Sequence, residues 1–319
     1  MKTLILPTRT FIILLIGFPG TMLGQSVHDS SWRLPDSNIQ APLIMTIDTS
    51  AKDEEDVHRS HLEAGFSYQN NDVYLGRKDS SVLPYYIPQF TYYHKSGLFA
   101  SASFSYLKNT TTSRIDLITI DAGYVFRAGN YDGQVTASKY FYNAQSTSVR
   151  SEISASLEYE NGIDFGFLRA FATGTVNFGS KTDIVGLFGI EHSFYLAGGK
   201  MDITPAFAMS GSTQNFYSDY YKKRRFNGKK QKIQTGILSI SGNVLNASEF
   251  KILDYEPTIP INYRFGKCTI SFSPTYSIPV HPATIAIQTT LNDGAVLNKT
   301  KTEKIENSFY WTLGFSVLL

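Results

Sequence analysis

From residue 60 onward, apolar and polar residues alternate in runs of roughly ten, the length of a tilted strand that crosses a bilayer. In the first run, 60–70, Leu62, Ala64, Phe66 and Tyr68 share one face, while Glu63, Gly65, Ser67 and Gln69 share the other. Successive strand side chains point to opposite faces, so the pattern predicts a strand with one greasy and one polar side. Later runs pair around short polar turns. Runs 84–94 and 98–107 flank His94-Lys95-Ser96-Gly97, and 115–126 and 131–142 flank Arg127-Ala128-Gly129-Asn130. Runs 149–159 and 163–177 flank Glu160-Asn161-Gly162, and 183–196 and 201–210 flank Ala197-Gly198-Gly199. Runs 252–265 and 268–280 flank Gly266-Lys267, and a last run at 305–319 brings the total to about 12.

The tight turns alternate with longer polar connections at 71–83, 108–114, 211–251 and 281–304, and with two shorter ones at 143–148 and 179–181. An even strand count with short turns on one side and long loops on the other predicts an all-β fold. The expected architecture is a transmembrane antiparallel up-and-down β-barrel of about 12 strands over 59–319, with both chain ends on the short-turn side. A soluble sandwich has no reason for this asymmetry. Some positions break the pattern. Lys139 falls on the apolar face beside Val135, Ala137 and Phe141, where a mid-membrane lysine costs about 2–4 kcal/mol, so an interfacial place or a bulge is expected. The phase slips near 167–169. Pro88, Pro205, Pro257, Pro260 and Pro274 each remove a ladder donor and point to strand ends or bulges.

The final run alternates almost without fault. Phe309, Trp311, Leu313, Phe315, Val317 and Leu319 lie on one face, with Tyr310, Thr312, Gly314 and Ser316 on the other. A chain ending on such a strand resembles a bacterial outer-membrane β-barrel protein, whose C-terminal strand closes the barrel and carries its assembly signal. The resemblance implies outer-membrane lipids and the barrel-assembly machinery as partners. The other end gives the same address. Lys2 and Arg9 accompany a short apolar stretch, 11–18, followed by small and polar residues up to Gly24 and Gln25. This is the layout of a cleaved Sec signal, 1–24, too short to span a bilayer. Residues 25–58 lack a period and end in a charged run, so they read as a flexible periplasmic segment. No cysteine follows the apolar stretch, which argues against a lipoprotein anchor. Cys268 is the single cysteine and has no intramolecular disulfide partner.

Composition narrows the class further. Mean hydropathy is −0.15, yet 14% of residues are aromatic, with 22 Phe and 20 Tyr. No stretch after the signal reaches the roughly 18–20 apolar residues of a membrane helix. Aromatic girdles on a half-polar strand set explain both values. Loss of Lys2 and Arg9 with the signal takes the 29 basic residues to 27, against 27 acidic ones. Without a basic field, nucleic acid is not an expected partner.

The inner face carries Ser101, Ser103 and Ser105 on one strand and Thr269, Ser271, Ser273, Thr275 and Ser277 on another. Its charged members are Glu63, Asp121, Arg150, Glu152, Glu158, Arg169, Glu191, Asp254, Glu256 and Arg264. These either pair across a packed or wet interior, or line a conduit and select solutes by charge. The 211–251 connection carries Tyr217, Tyr220 and Tyr221, then Lys222, Lys223, Arg224 and Arg225, then Lys229, Lys230 and Lys232. Aromatics beside cations suit lipid phosphate or surface glycan, and a solvated loop has the same composition. The apolar stretch 237–245 reads as a loop element, since another strand would break the even count.

No catalytic constellation emerges. His192 and Ser193 are strand neighbours that point to opposite faces, so they do not make a nucleophile–base pair. The remaining histidines lack metal-ligand spacing, Gln69-Asn70-Asn71-Asp72 is a turn signal before it is a calcium loop, and no cofactor motif is present. Three functions stay open: a channel for small polar solutes, a structural or interaction barrel whose loops bind lipid, glycan or protein, and a lipid-modifying enzyme.

Overall fold

The computed structural model describes residues 60–110, 112–226 and 237–319. The signal, the 25–58 segment and Lys229, Lys230 and Lys232 lie outside the described residues. Twelve staves form the barrel. They are β1 His61–Gln69, β2 Tyr85–Tyr93, β3 Leu98–Lys108, β4 Ser113–Ala128, β5 Tyr131–Tyr142 and β6 Ala155–Asp164. β7 Arg169–Phe178 and β8 Thr182–Glu191 follow, then β9 (Met201–Ile203 with Ala206–Ser212) and β10 (Lys251–Thr258 with Ile261–Phe265). β11 is Cys268–Pro279 and β12 is Ser308–Leu318. Each stave pairs antiparallel with its sequence neighbours, and β12 pairs with both β11 and β1. The sheet therefore has no free edge, as a strand structure in lipid requires.

The outer belt is apolar and the inner wall polar. Phe309, Leu313 and Phe315 on β12 are exposed, while Tyr310 and Ser316 are buried inside. Lys139 does face outward, near the loop end of β5, with Nζ 5.8 Å from the Phe141 ring centre. The prolines fall where the ladder lapses. Pro205 and Pro260 split β9 and β10 into two pieces, and the pairing of β10 with β11 skips Glu256 and Pro257.

Several bounds differ from the sequence pattern: β7 starts at Arg169, β8 ends at Glu191 and β12 starts at Ser308, and three departures change the reading. Glu160-Asn161-Gly162 is not a turn but the middle of β6, and the chain reverses instead around Gly166, whose φ is +84°. Gly162 is needed for close approach: the Arg169 guanidinium occupies the space where a Cβ would sit. Residues 149–153 are not strand, because Ser148, Val149 and Arg150 are buried consecutively, which an alternating strand forbids. The 237–245 stretch is not a loop. Ile237–Val244 pairs with Thr284–Leu291, which pairs with Val296–Thr302, in a separate three-stranded sheet outside the barrel. The even stave count survives because those strands never join the wall.

The long connections fold together over one mouth. A small hairpin, Val73–Tyr74 with Arg77–Lys78, dips in from the first connection, and α1 (Asn215–Phe226) packs against the outer sheet. Tyr74, Leu75, Val149, Ile153, Phe216, Tyr217, Tyr220, Leu253 and Ile285 bury one another in a single apolar cluster. Gly76, at φ +74°, lies so close to Pro279 that an added Cβ would sit 2.6 Å from the proline Cβ. Leu117, Tyr140 and Val185, at the loop ends of β4, β5 and β8, belong to the same cluster, so the cap is seated on the upper rim of the wall above the polar lumen.

Candidate functional site

The lumen wall is built by the inward half of each stave. Ser67, Gln89, Thr91, Ser101, Ser103, Ser105, Thr136, Thr175 and Ser277 are all buried there. Gln89 Nε2 donates to Thr91 Oγ1 at 3.1 Å and to Ser101 Oγ at 3.3 Å, so neighbouring staves are laced by side chains as well as backbone.

Of the ten charges expected inside, eight sit on staves and face inward. Arg169, at the start of β7, donates to Asp132 Oδ2 at 2.7 Å and to Glu191 Oε1 at 2.9 Å. Arg264 donates to Asp202 Oδ2 at 2.7 Å and to the Gly199 carbonyl at 3.1 Å. Glu158 accepts from Thr175 at 3.0 Å, Glu256 from Tyr310 at 3.0 Å, and Asp254 from Ser277 at 2.8 Å. Glu63 bonds Ser316 on the closing stave, and Asp121 is buried in β4. Arg150 and Glu152 do not line the lumen beside Glu158, since they precede the start of β6. Arg150 is buried in the cap, 3.6 Å from Asp72 and stacked over Tyr74, and Glu152 lies half-buried at the rim.

The wall is asymmetric in charge. Among the described residues, its mid-height carries Asp121, Glu158, Glu160 and Glu256 and no lysine or arginine. Arg127, Arg169 and Arg264 gather at the short-turn end. Replacing Arg169 by Met should lower stability by about 3–5 kcal/mol, because two buried carboxylates lose their partner. Denaturant unfolding from detergent reads this, and an unchanged midpoint would remove Arg169 from any such role.

The aromatic residues of α1 serve the cap and are not free for an external ligand. Tyr217 donates to Glu303 at 2.7 Å and Tyr220 to Asp79 at 2.7 Å. Burial, and then the Glu303 carboxylate, push the Tyr217 hydroxyl well above the usual phenol range, so it stays protonated as a donor. Arg77 stacks 5.1 Å from the Tyr217 ring centre, pairs with Glu303 at 3.4 Å and donates to Gln214 at 3.0 Å. Tyr221 packs at the edge of the cluster, Lys222 pairs with Asp219 at 3.3 Å, and Lys223, Arg224 and Arg225 continue the helix. His192 packs edge-on against Phe194 while Ser193 bonds Thr204, so these neighbours do not act together.

Sequence reasoning missed the part that Asp72, Arg77 and Glu303 play in locking the cap, because their partners lie on other connections distant in sequence. It missed Glu160 by reading it as part of a turn. The alternation Glu158, Glu160, Gly162 was the signal that would have found it.

A closed 12-stave ladder, a polar wall and an apolar outer belt define an integral β-barrel of the outer-membrane type. No family model matches the chain, and no curated protein does. Among solved structures it is similar to a KdgM porin, at 8% identity over 80% of this chain and 98% of that one, with a TM-score of 0.40. It is also similar to a NanC porin, at 10% identity over 81% and 100%, with a TM-score of 0.43. The COG4313 outer membrane channel from Pseudomonas putida F1 gives 10% identity over 84% and 100%, with a TM-score of 0.40. The barrel assignment rests on the closed ladder and takes nothing from these values.

Proposed function

We propose that this barrel is a conduit for small polar solutes across the outer membrane, held shut at its outer mouth by the cap. The observation that carries this reading is the division of labour inside. The wall is lined by hydroxyl, amide and carboxylate groups suited to a hydrated path, while the closing apolar contacts lie in the cap and the stave ends on which it sits. Directly under the cap, Tyr74, Leu75, Thr173, Leu187 and Glu256 surround a cavity of only about 10 Å³, room for about one water. In this reading passage requires the 71–83 hairpin to withdraw. Proteoliposomes carrying a variant without residues 72–82 should swell in isosmotic sugar faster than those carrying the intact chain. Absence of swelling with either protein would defeat the conduit.

The exposed outer sheet favours a second reading, an interaction barrel that displays it. In that reading Val296–Thr302, exposed along its whole length, is the working surface. The swelling assay separates the two.

Both readings place the cap at the cell surface and the short turns and chain ends in the periplasm, after export by the Sec route. In a Cys268→Ser background, Thr300→Cys should react with an impermeant thiol reagent on whole cells. Gly198→Cys, in a short turn, should react only once the outer membrane is breached. The reverse pattern would invert the barrel.

A further inference from the structure

Three buried carboxylates on two staves, β4 and β6, stand without a short ion pair. Asp121 on β4 is 1% exposed, and Glu158 and Glu160 on β6 are 5% and 4% exposed. Glu158 and Glu160 are two residues apart on one face of the stave, and β5 alone separates them from Asp121. Asp121 and Glu158 are close enough to repel, as are Glu158 and Glu160. Arg169, the cation nearest Glu160, gives its short ion pairs to Asp132 and Glu191.

The surroundings do not compensate these charges. Neither oxygen of Asp121 has a hydrogen bond of good geometry; Ser138 across the pair with β5 approaches it but off that geometry. Thr173, 5% exposed and directly opposite Glu160 on β7, leaves its hydroxyl oxygen without a partner at the edge of the lumen cavity. Buried carboxylates in a low-dielectric wall are costly unless a counter-charge joins them. The Thr173 hydroxyl can offer an oxygen ligand to a cation, and the carboxylates around it attract a cation and repel an anion.

Resting on the conduit reading above, we propose that Asp121, Glu158, Glu160 and Thr173 form a binding track for small monovalent cations, alkali or ammonium-like, so that the lumen carries cations in preference to anions. The track lies on one wall, between the cap and the paired arginines at the periplasmic end. A cation moving along it passes from carboxylate to carboxylate across β5, each site weak enough to leave.

The test uses the full barrel, folded in detergent, and a variant with Asp121→Asn, Glu158→Gln and Glu160→Gln together. Retention of radiolabelled Rb⁺ and Cl⁻ is measured by rapid gel filtration. The intact barrel should retain several-fold more Rb⁺ than Cl⁻, and the amide variant should lose most of that excess. Equal retention of the two ions by the intact barrel, which needs no variant, overturns the proposal, as does Rb⁺ retention unchanged by the substitutions. In planar bilayers under a KCl gradient, the reversal potential should lie on the K⁺ side and move towards zero in the variant. Conduction without cation preference overturns the track while sparing the conduit. Silent bilayers contradict the conduit, and the Rb⁺ comparison then decides the track alone.

Discussion

Removal of the closing stave, residues 308–318, should abolish insertion: the truncated chain is expected to be absent from the outer membrane and degraded. β12 is bonded on both sides, with Phe66 opposite Phe315 across β1 and Ile270 opposite Phe315 across β11. Its loss leaves two rows of backbone donors and acceptors facing hydrocarbon, each unsatisfied group costing several kcal/mol. A milder lesion grades the effect. Leu313→Arg, on the lipid face of the same stave, should cost about 2–4 kcal/mol if it lies at the membrane centre. Heat-dependent gel mobility reports both. Heat-modifiable truncated protein in the outer membrane would disprove the closing role of β12.

Asp72→Ala should release the cap with the barrel intact. Asp72 is buried, accepts from Ser148 Oγ at 2.6 Å and faces the Arg150 guanidinium at 3.6 Å. Without it, Arg150 remains as an uncompensated buried charge beside Tyr74, at a cost of about 3–5 kcal/mol borne locally. Amide exchange should accelerate strongly across 71–83 and 148–153 and remain slow in the staves. A uniform change over the whole barrel would mean that the cap and the wall are one cooperative unit, contrary to a cap that releases by itself.

Much of this architecture was legible in the sequence. The period of two along 60–70 and 309–319, and the local chemistry of His94-Lys95-Ser96-Gly97, are properties of contiguous residues, and the structure follows them. The misreadings share a cause. Gly162 looks like a turn glycine, but its reason is the Arg169 side chain arriving from the next stave. Tyr217 and Tyr220 look like surface aromatics beside cations, but Glu303 and Asp79 come from distant connections to hold them inward. Arg150 shares even spacing with Glu158, yet Asp72 and Tyr74 draw it into the cap. Strand patterning records the membrane, a uniform solvent. The cap depends on contacts between loops, which no local period encodes.

The central claim, a polar conduit closed by a removable cap, is tested most directly by paired single-channel recordings of the intact barrel and the variant lacking 72–82, both shown to be folded by heat-modifiable mobility. The account predicts rare, brief openings from the intact protein and long-lived conductance steps from the variant. Silence from both would contradict it, and so would steady, indistinguishable currents from both.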